Sequence, residues 1–170
     1  MLLPSIFNDV IGPVMRGPSS SHCAASVRIG RLARDLMKGS IESVLIEFDP
    51  HGSLATTHEG QGSDMGLFGG LLGWDAADER LVNSKKAINA AGIRVEIAIR
   101  DIQASHPNTY KLTLSNASEQ HVLMANSTGG GMIEPVSYTH LRAHETKEEI
   151  SYSDYCLKRG GGGGGGGGGG

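Results

Sequence analysis

The run Arg16-Gly17-Pro18-Ser19-Ser20-Ser21-His22 does most to fix what this chain can become, because it closes one segment and opens a helix within a few residues. Gly17 permits a turn, and Pro18 locks one backbone angle and stops any helix before it. Three serines then offer N-caps for a segment in which Ala25, Ile29, Leu32 and Leu36 recur at helical spacing. That spacing predicts a helix from about Ser21 to Met37, stopped near Gly39, and a shorter helix is expected around Ser5–Val10. Downstream the apolar period changes from 3.6 to 2. Val44-Leu45-Ile46-Glu47-Phe48 reads as a strand followed by the turn Asp49-Pro50-His51-Gly52, and Ser53–Thr57 as a second strand. Gly60 to Gly73 reads as a small-residue helix packed closely on a sheet, and Asp75 to Ala91 as helix-rich. Arg94–Arg100 and Tyr110–Leu114 alternate cleanly, and Asn116-Ala117-Ser118 turns into His121–Asn126. The expected class is α/β, an α+β sandwich: a mixed sheet with helices packed on it, its later strands an antiparallel meander.

The helix start also carries chemistry. Its first backbone N–H groups have no intrahelical partner and bear partial positive charge, so a carboxylate or phosphate could be held by amides, serine hydroxyls and Arg16. His22 stands beside that cradle and could accept a proton from whatever it holds. An ordinary capped helix uses the same residues. Thr56–Asp64 is a second polar loop, compatible with a ligand or with a plain connector. In Ser105-His106-Pro107, His106 is held extended by the following proline. His51, His58 and His121 read as surface or turn residues.

The end of the chain has a different character. Residues 160–170 are glycine throughout, with no side chain to bury. Val136-Ser137-Tyr138-Thr139-His140-Leu141-Arg142-Ala143-His144-Glu145-Thr146 resembles one reading frame of a transposase-type sequencing adapter. Ile150-Ser151-Tyr152 and Cys156-Leu157-Lys158 resemble its remainder, so 136–170 reads as a non-native, disordered tail and 1–135 as the domain. His140, His144 and Cys156 fit no common metal-ligand spacing. The tail is charge-balanced, which leaves the net charge of −3 on residues 1–135. Arg28, Arg31 and Arg34 form one helix face with Asp35 nearby, so nothing favours nucleic acid. Outside the tail Cys23 is the only cysteine, which excludes a disulfide framework, and no apolar run reaches membrane-spanning length; a cytoplasmic protein is expected.

Three segments in consistent order are similar to one known family. Ser5–Pro13 through Gly17-Pro18-Ser19-Ser20-Ser21-His22 and on to Gly30, His51-Gly52-Ser53-Leu54-Ala55-Thr56-Thr57-His58-Glu59-Gly60, and Gly129-Gly130-Gly131-Met132-Ile133-Glu134 resemble the beta chain of iron–sulfur-dependent L-serine dehydratases. The resemblance implies a domain of the allosteric substrate-binding type and an ammonia-lyase converting L-serine to pyruvate and ammonia. It implies a [4Fe–4S] cluster held by a partner alpha chain, since one cysteine cannot supply the thiolates. By the same resemblance His22 and His106 are catalytic, and Ser19, Ser20, Ser21, Arg16 and Cys23 contact the substrate. The family usually has threonine where Cys23 stands, and a thiol is a poorer hydrogen-bond donor. Family beta chains commonly continue into an ACT-type domain, which would be missing after Pro135. A similar domain occurs in some phosphoglycerate dehydrogenases, which keeps open a regulatory anion- or serine-binding module.

Overall fold

The structure, a computed structural model, describes residues 14–142 and the strand Glu148–Ser151. The expected helix at Ser5–Val10 lies outside the described residues, as do His144, Cys156 and the glycine run. The main helix, α1, spans Ser20–Leu36, within a residue of its expected bounds, because its apolar and small residues fall on one buried stripe: Cys23, Val27, Gly30 and Ala33, flanked by Ala24, Ala25, Ser26 and Ile29. Strand β1 (Ser43–Phe48) follows, then a single helical turn α2 (Leu54–Thr57) and helix α3 (Ser63–Leu71). A 3₁₀ turn (Glu79–Asn83) leads into α4 (Ser84–Ala90), and four strands follow: β2 (Arg94–Ile99), β3 (Thr109–Ser115), β4 (Glu119–Gly129) and β5 (Met132–Arg142). Strand β6 is Glu148–Ser151.

The sheet is mixed, in the order β2-β1-β3-β4-β5-β6, and the fold class is α+β. β1 and β2 are parallel, joined by the crossover that contains α2, α3 and α4; β3, β4, β5 and β6 pair antiparallel in sequence order, the expected meander. Register places Val44 and Ile46 of β1 beside Leu114 and Leu112 of β3, and Leu123 and Ala125 of β4 beside Leu112 and Tyr110, while the Phe48 ring packs edge-on against Tyr110 at 5.5 Å. This face forms the core with Ile29, Ala33, Leu67, Phe68 and Leu71 of the helices. Opposite, Glu47 alternates outward and pairs with Lys111 at 3.0 Å and Arg100 at 3.6 Å.

Three expectations need correction. Ser53–Thr57 is a helical turn, not a strand: Ser53 N–H donates to Pro107 O, Thr57 Oγ1 bonds back to Ser53 O, and His58 N–H reaches Leu54 O. Those bonds curl the backbone around Leu54, which is buried. The small residues of α3 serve a helix rather than the sheet. A Cβ on Gly70 would lie 2.2 Å from the Val27 carbonyl, and one on Gly66 2.4 Å from that of Cys23, so the glycines let α3 lie directly on α1. Finally, residues 136–142 belong to the sheet, because β5 runs through the boundary expected after Pro135. A register shift leaves Val136 as a bulge between Ala125↔Pro135 and Met124↔Ser137, and pairing then continues to Glu119↔Arg142.

Candidate functional site

Loops from five parts of the chain meet at one end of the sheet. They follow β1, precede β3, join β4 to β5, and lead into α1 and α3. The first is the serine loop. Gly17 has φ +124°, and a Cβ there would sit 2.7 Å from that of Cys23, so only glycine folds the loop down onto α1. Ser19 N–H donates to Gln61 O at 3.2 Å, and a Cβ on Gly62 would touch Pro18, so the serine loop and the loop before α3 are in direct contact. On the other flank Arg28 reaches from α1 to the Gly131 carbonyl at 2.7 Å, which seats the Gly129–Gly131 turn beside Ser21 and Ala24.

Ser19 is the N-cap residue of α1, but its hydroxyl makes no capping bond; it lies 2.8 Å from His22 Nδ1. That contact fixes the imidazole and leaves Nε2 as the ring's other polar atom. In the tautomer with hydrogen on Nδ1, Nε2 carries the lone pair. Among the described residues nothing hydrogen-bonds the hydroxyls of Ser20 or Ser21, and the first turn of α1 holds no acidic residue. Amides, two unused hydroxyls and an oriented histidine thus share one helix start, an arrangement suited to a small anion.

Two residues expected at this cradle lie elsewhere. Arg16 turns away, donating from Nη2 to Glu79 at 2.8 Å and from Nε to the Ala77 carbonyl at 2.7 Å. Cys23 is fully buried and packs with Val27 and Leu81, and burial pushes its thiol up to about 11. Its place is in the core. His106 stands in the loop before β3, where Nδ1 accepts from Asn108 N–H at 3.1 Å and the ring shares a small cleft with Asp49 and His51. The contacts of His106 therefore tie it to the loop after β1. Backbone N–H groups of His51, Ala104 and Ile102 converge on the Asp49 carboxylate and hold it below the usual carboxylate range, against the opposing effect of burial.

Beneath the serine loop lies a polar network for which the sequence gives little signal. Ser26 Oγ donates to His22 O at 2.8 Å and lies 3.0 Å from Tyr110 Oη, and Tyr110 Oη donates to Ser63 Oγ at 3.0 Å. Gln61 Nε2 also donates to Ser63 Oγ at 3.3 Å. Tyr110 is wholly buried, so one phenol on β3 ties the second turn of α1 to the start of α3. The only hint in the sequence is a serine on the apolar stripe of α1.

His58 stands in a turn, as expected, but its side chain is mostly covered. Its Nδ1 lies 2.8 and 2.9 Å from the two oxygens of Asp64, and its ring packs on Phe48 at 5.0 Å. Burial raises the Asp64 carboxyl despite the bond to His58. His121 is neither on the surface nor in a turn: it is buried on β4, at the opposite end of the sheet from the serine loop. Its Nε2 is 3.0 Å from Glu119, its Nδ1 2.6 Å from the Tyr138 hydroxyl, and its ring stacks on His140 at 4.3 Å. Burial opposes ionisation of Glu119, but the bond from His121 and the amides of Lys38 and Gly39 pull its carboxyl down to about 2. Glu119, His121 and His140 could present three donor atoms to a metal ion, yet the Glu119–His121 pair is already internally satisfied and lies at the C-terminal end of α1. His51, by contrast, is exposed in its turn, as expected. A [4Fe–4S] cluster does not fit the described residues, whose one cysteine is buried and protonated. Among the described residues no helix is long and apolar enough to cross a membrane.

These features define a two-layer α+β domain with a serine-rich loop at a helix start. The profile of the serine dehydratase beta chain family matches residues 9–137, and the chain belongs to that family. It is 45% identical over 130 residues to a probable L-serine dehydratase beta chain of Bacillus subtilis (strain 168), and 36% identical over 132 residues to an L-serine dehydratase beta chain of Peptoniphilus asaccharolyticus. Each alignment covers 76% of this chain and 58% of the relative, so the chain spans a little over half the length of these relatives.

Proposed function

We propose that this chain is the beta-subunit part of an L-serine ammonia-lyase, contributing the serine loop to an active site completed by a partner alpha chain. The observation that carries the reading is the start of α1, where the hydroxyls of Ser20 and Ser21 have no partner among the described residues and Ser19 holds His22 at 2.8 Å. The substrate carboxylate is bound by first-turn amides and the two hydroxyls, and His22 Nε2 accepts the α-proton. The [4Fe–4S] cluster is assigned to the alpha chain, because the described residues cannot ligate it.

The test is steady-state kinetics of the chain combined with its alpha partner. His22→Ala should lower turnover by roughly 100-fold or more, the range for loss of a general base. Ser20→Ala and Ser21→Ala should mainly raise KM, each by an amount worth about 1–2 kcal/mol of binding to a charged carboxylate. An unchanged turnover number for His22→Ala would remove it from the reaction. Stoichiometric cluster absorbance in the chain reconstituted alone would overturn the two-chain reading.

A further inference from the structure

A cavity of about 320 Å³ lies beside the serine loop, between α3, α4 and β2, and the chemistry described so far does not use it. That volume is at the small end of ligand pockets, the size of a metabolite rather than a cofactor. Its floor is apolar, formed by Phe68, Ile88, Val95 and Ile97. Its polar groups are of both signs: Glu59 from the turn after α2, Asp64 from the first turn of α3, and Ser84, Lys85 and Asn89 from α4. The charges act on one another across the space, since Glu59 pushes the Asp64 carboxyl up and Lys85 pulls it down. Burial keeps the Asp64 carboxyl raised even with His58 bonded to it, so a cation placed against it would favour its ionised form.

We propose that this cavity binds a free α-amino acid with an apolar side chain, its ammonium on Glu59 and Asp64, its carboxylate on Lys85 and Asn89, and its side chain over Phe68 and Ile88. A simple amine or a simple acid would leave one pole unmatched. Serine would leave the apolar floor of Phe68, Ile88, Val95 and Ile97 without a side chain to cover it, which selects against it here. The cavity also touches the serine loop. Met65 forms part of its wall, and the tip of the same side chain would lie 3.1 Å from a Cβ on Gly17 and 3.4 Å from one on Gly62. A bound side chain presses Met65 onto Gly17 and stiffens the loop. This regulatory half rests on the function proposed above, whereas the binding half does not.

The experiment is calorimetry and amide NMR on the full chain with L-leucine and L-methionine, alongside L-serine, 4-methylpentanoic acid and isopentylamine. Leucine or methionine should bind saturably and shift Met65, Ile88 and Val95, with the acid and the amine each at least about tenfold weaker for want of one charged contact. Lys85→Ala should weaken leucine by about tenfold or more at unchanged melting temperature, because Lys85 is exposed. Val82→Trp, at the open rim, should block binding without disturbing the core. No saturable binding of either amino acid at millimolar concentration, or equal affinity in Lys85→Ala, overturns the site. Shifts in the cavity with none at Gly17 or Ser19 overturn the regulatory half. Leucine binding is read without serine turnover, so its failure leaves the lyase reading standing, and failure of the lyase reading leaves the binding result intact.

Discussion

Gly70→Ala should be among the most damaging single methyl groups that can be added to this domain. The new Cβ would lie 2.2 Å from the Val27 carbonyl, 2.9 Å from the Arg31 amide and 3.0 Å from Gly30 Cα. All three are backbone atoms of α1, so no side chain can rotate to make room. Relief to ordinary contact requires α3 to move away from α1 by roughly 1 Å, opening the layer that holds Val27, Leu67 and Leu71 together. Overpacking of this kind costs about 1–3 kcal/mol, at the upper end where backbone is the obstacle. Better helix propensity of alanine returns about 1 kcal/mol. A net loss of about 2 kcal/mol follows, or roughly 5–10 °C in Tm for a domain of this size. Gly69→Ala is the internal control: its Cβ would meet Leu81 Cδ2 at 2.3 Å, the end of a side chain that can turn aside, so its cost should be smaller. Thermal unfolding by circular dichroism, with urea midpoints for both variants, decides the matter. A Gly70→Ala protein as stable as the parent, or more stable than Gly69→Ala, would refute backbone-to-backbone packing of α1 on α3.

Tyr110→Phe leaves no void but removes the hydroxyl that joins Ser26 to Ser63, and should cost about 1–2 kcal/mol in urea unfolding, with faster hydrogen exchange at the starts of both α1 and α3; protection lost at only one helix would show that the phenol does not couple them. The Glu119 carboxyl sits at about 2 when folded, below its ordinary 4.5, so its contribution is present above pH 4.5 and lost as pH falls towards 2. Glu119→Gln should therefore be less stable at neutral pH and show a shallower acid decline across that window, with an unaltered slope counting against the pairing. Truncation after Pro135 strips the partner from β4 over Glu119–Met124 along with the Tyr138–His121 bond, and should lower Tm by several degrees; an unchanged Tm would mean that residues 136–142 add nothing to the sheet.

The sequence by itself determined the elements whose periodicity is set by one buried face. The α1 stripe and the alternating runs of β1, β2 and β3 were legible because each side chain's fate depends on its own position along a regular backbone. The serine loop was legible for a related reason: proline, glycine and N-cap residues act on the chain within a few positions. Ser53–Thr57 was not, since its curl is imposed by the Pro107 carbonyl, far away in sequence. Only the tertiary structure decided that Gly66 and Gly70 of α3 face α1, that His58 is held by Asp64, that Arg16 leaves the loop for Glu79, and that Tyr110 joins α1 to the start of α3. Each of these depends on which surfaces meet. Burial turns a polar side chain into a demand for one particular partner, and that partner is chosen by packing in three dimensions rather than by any local pattern.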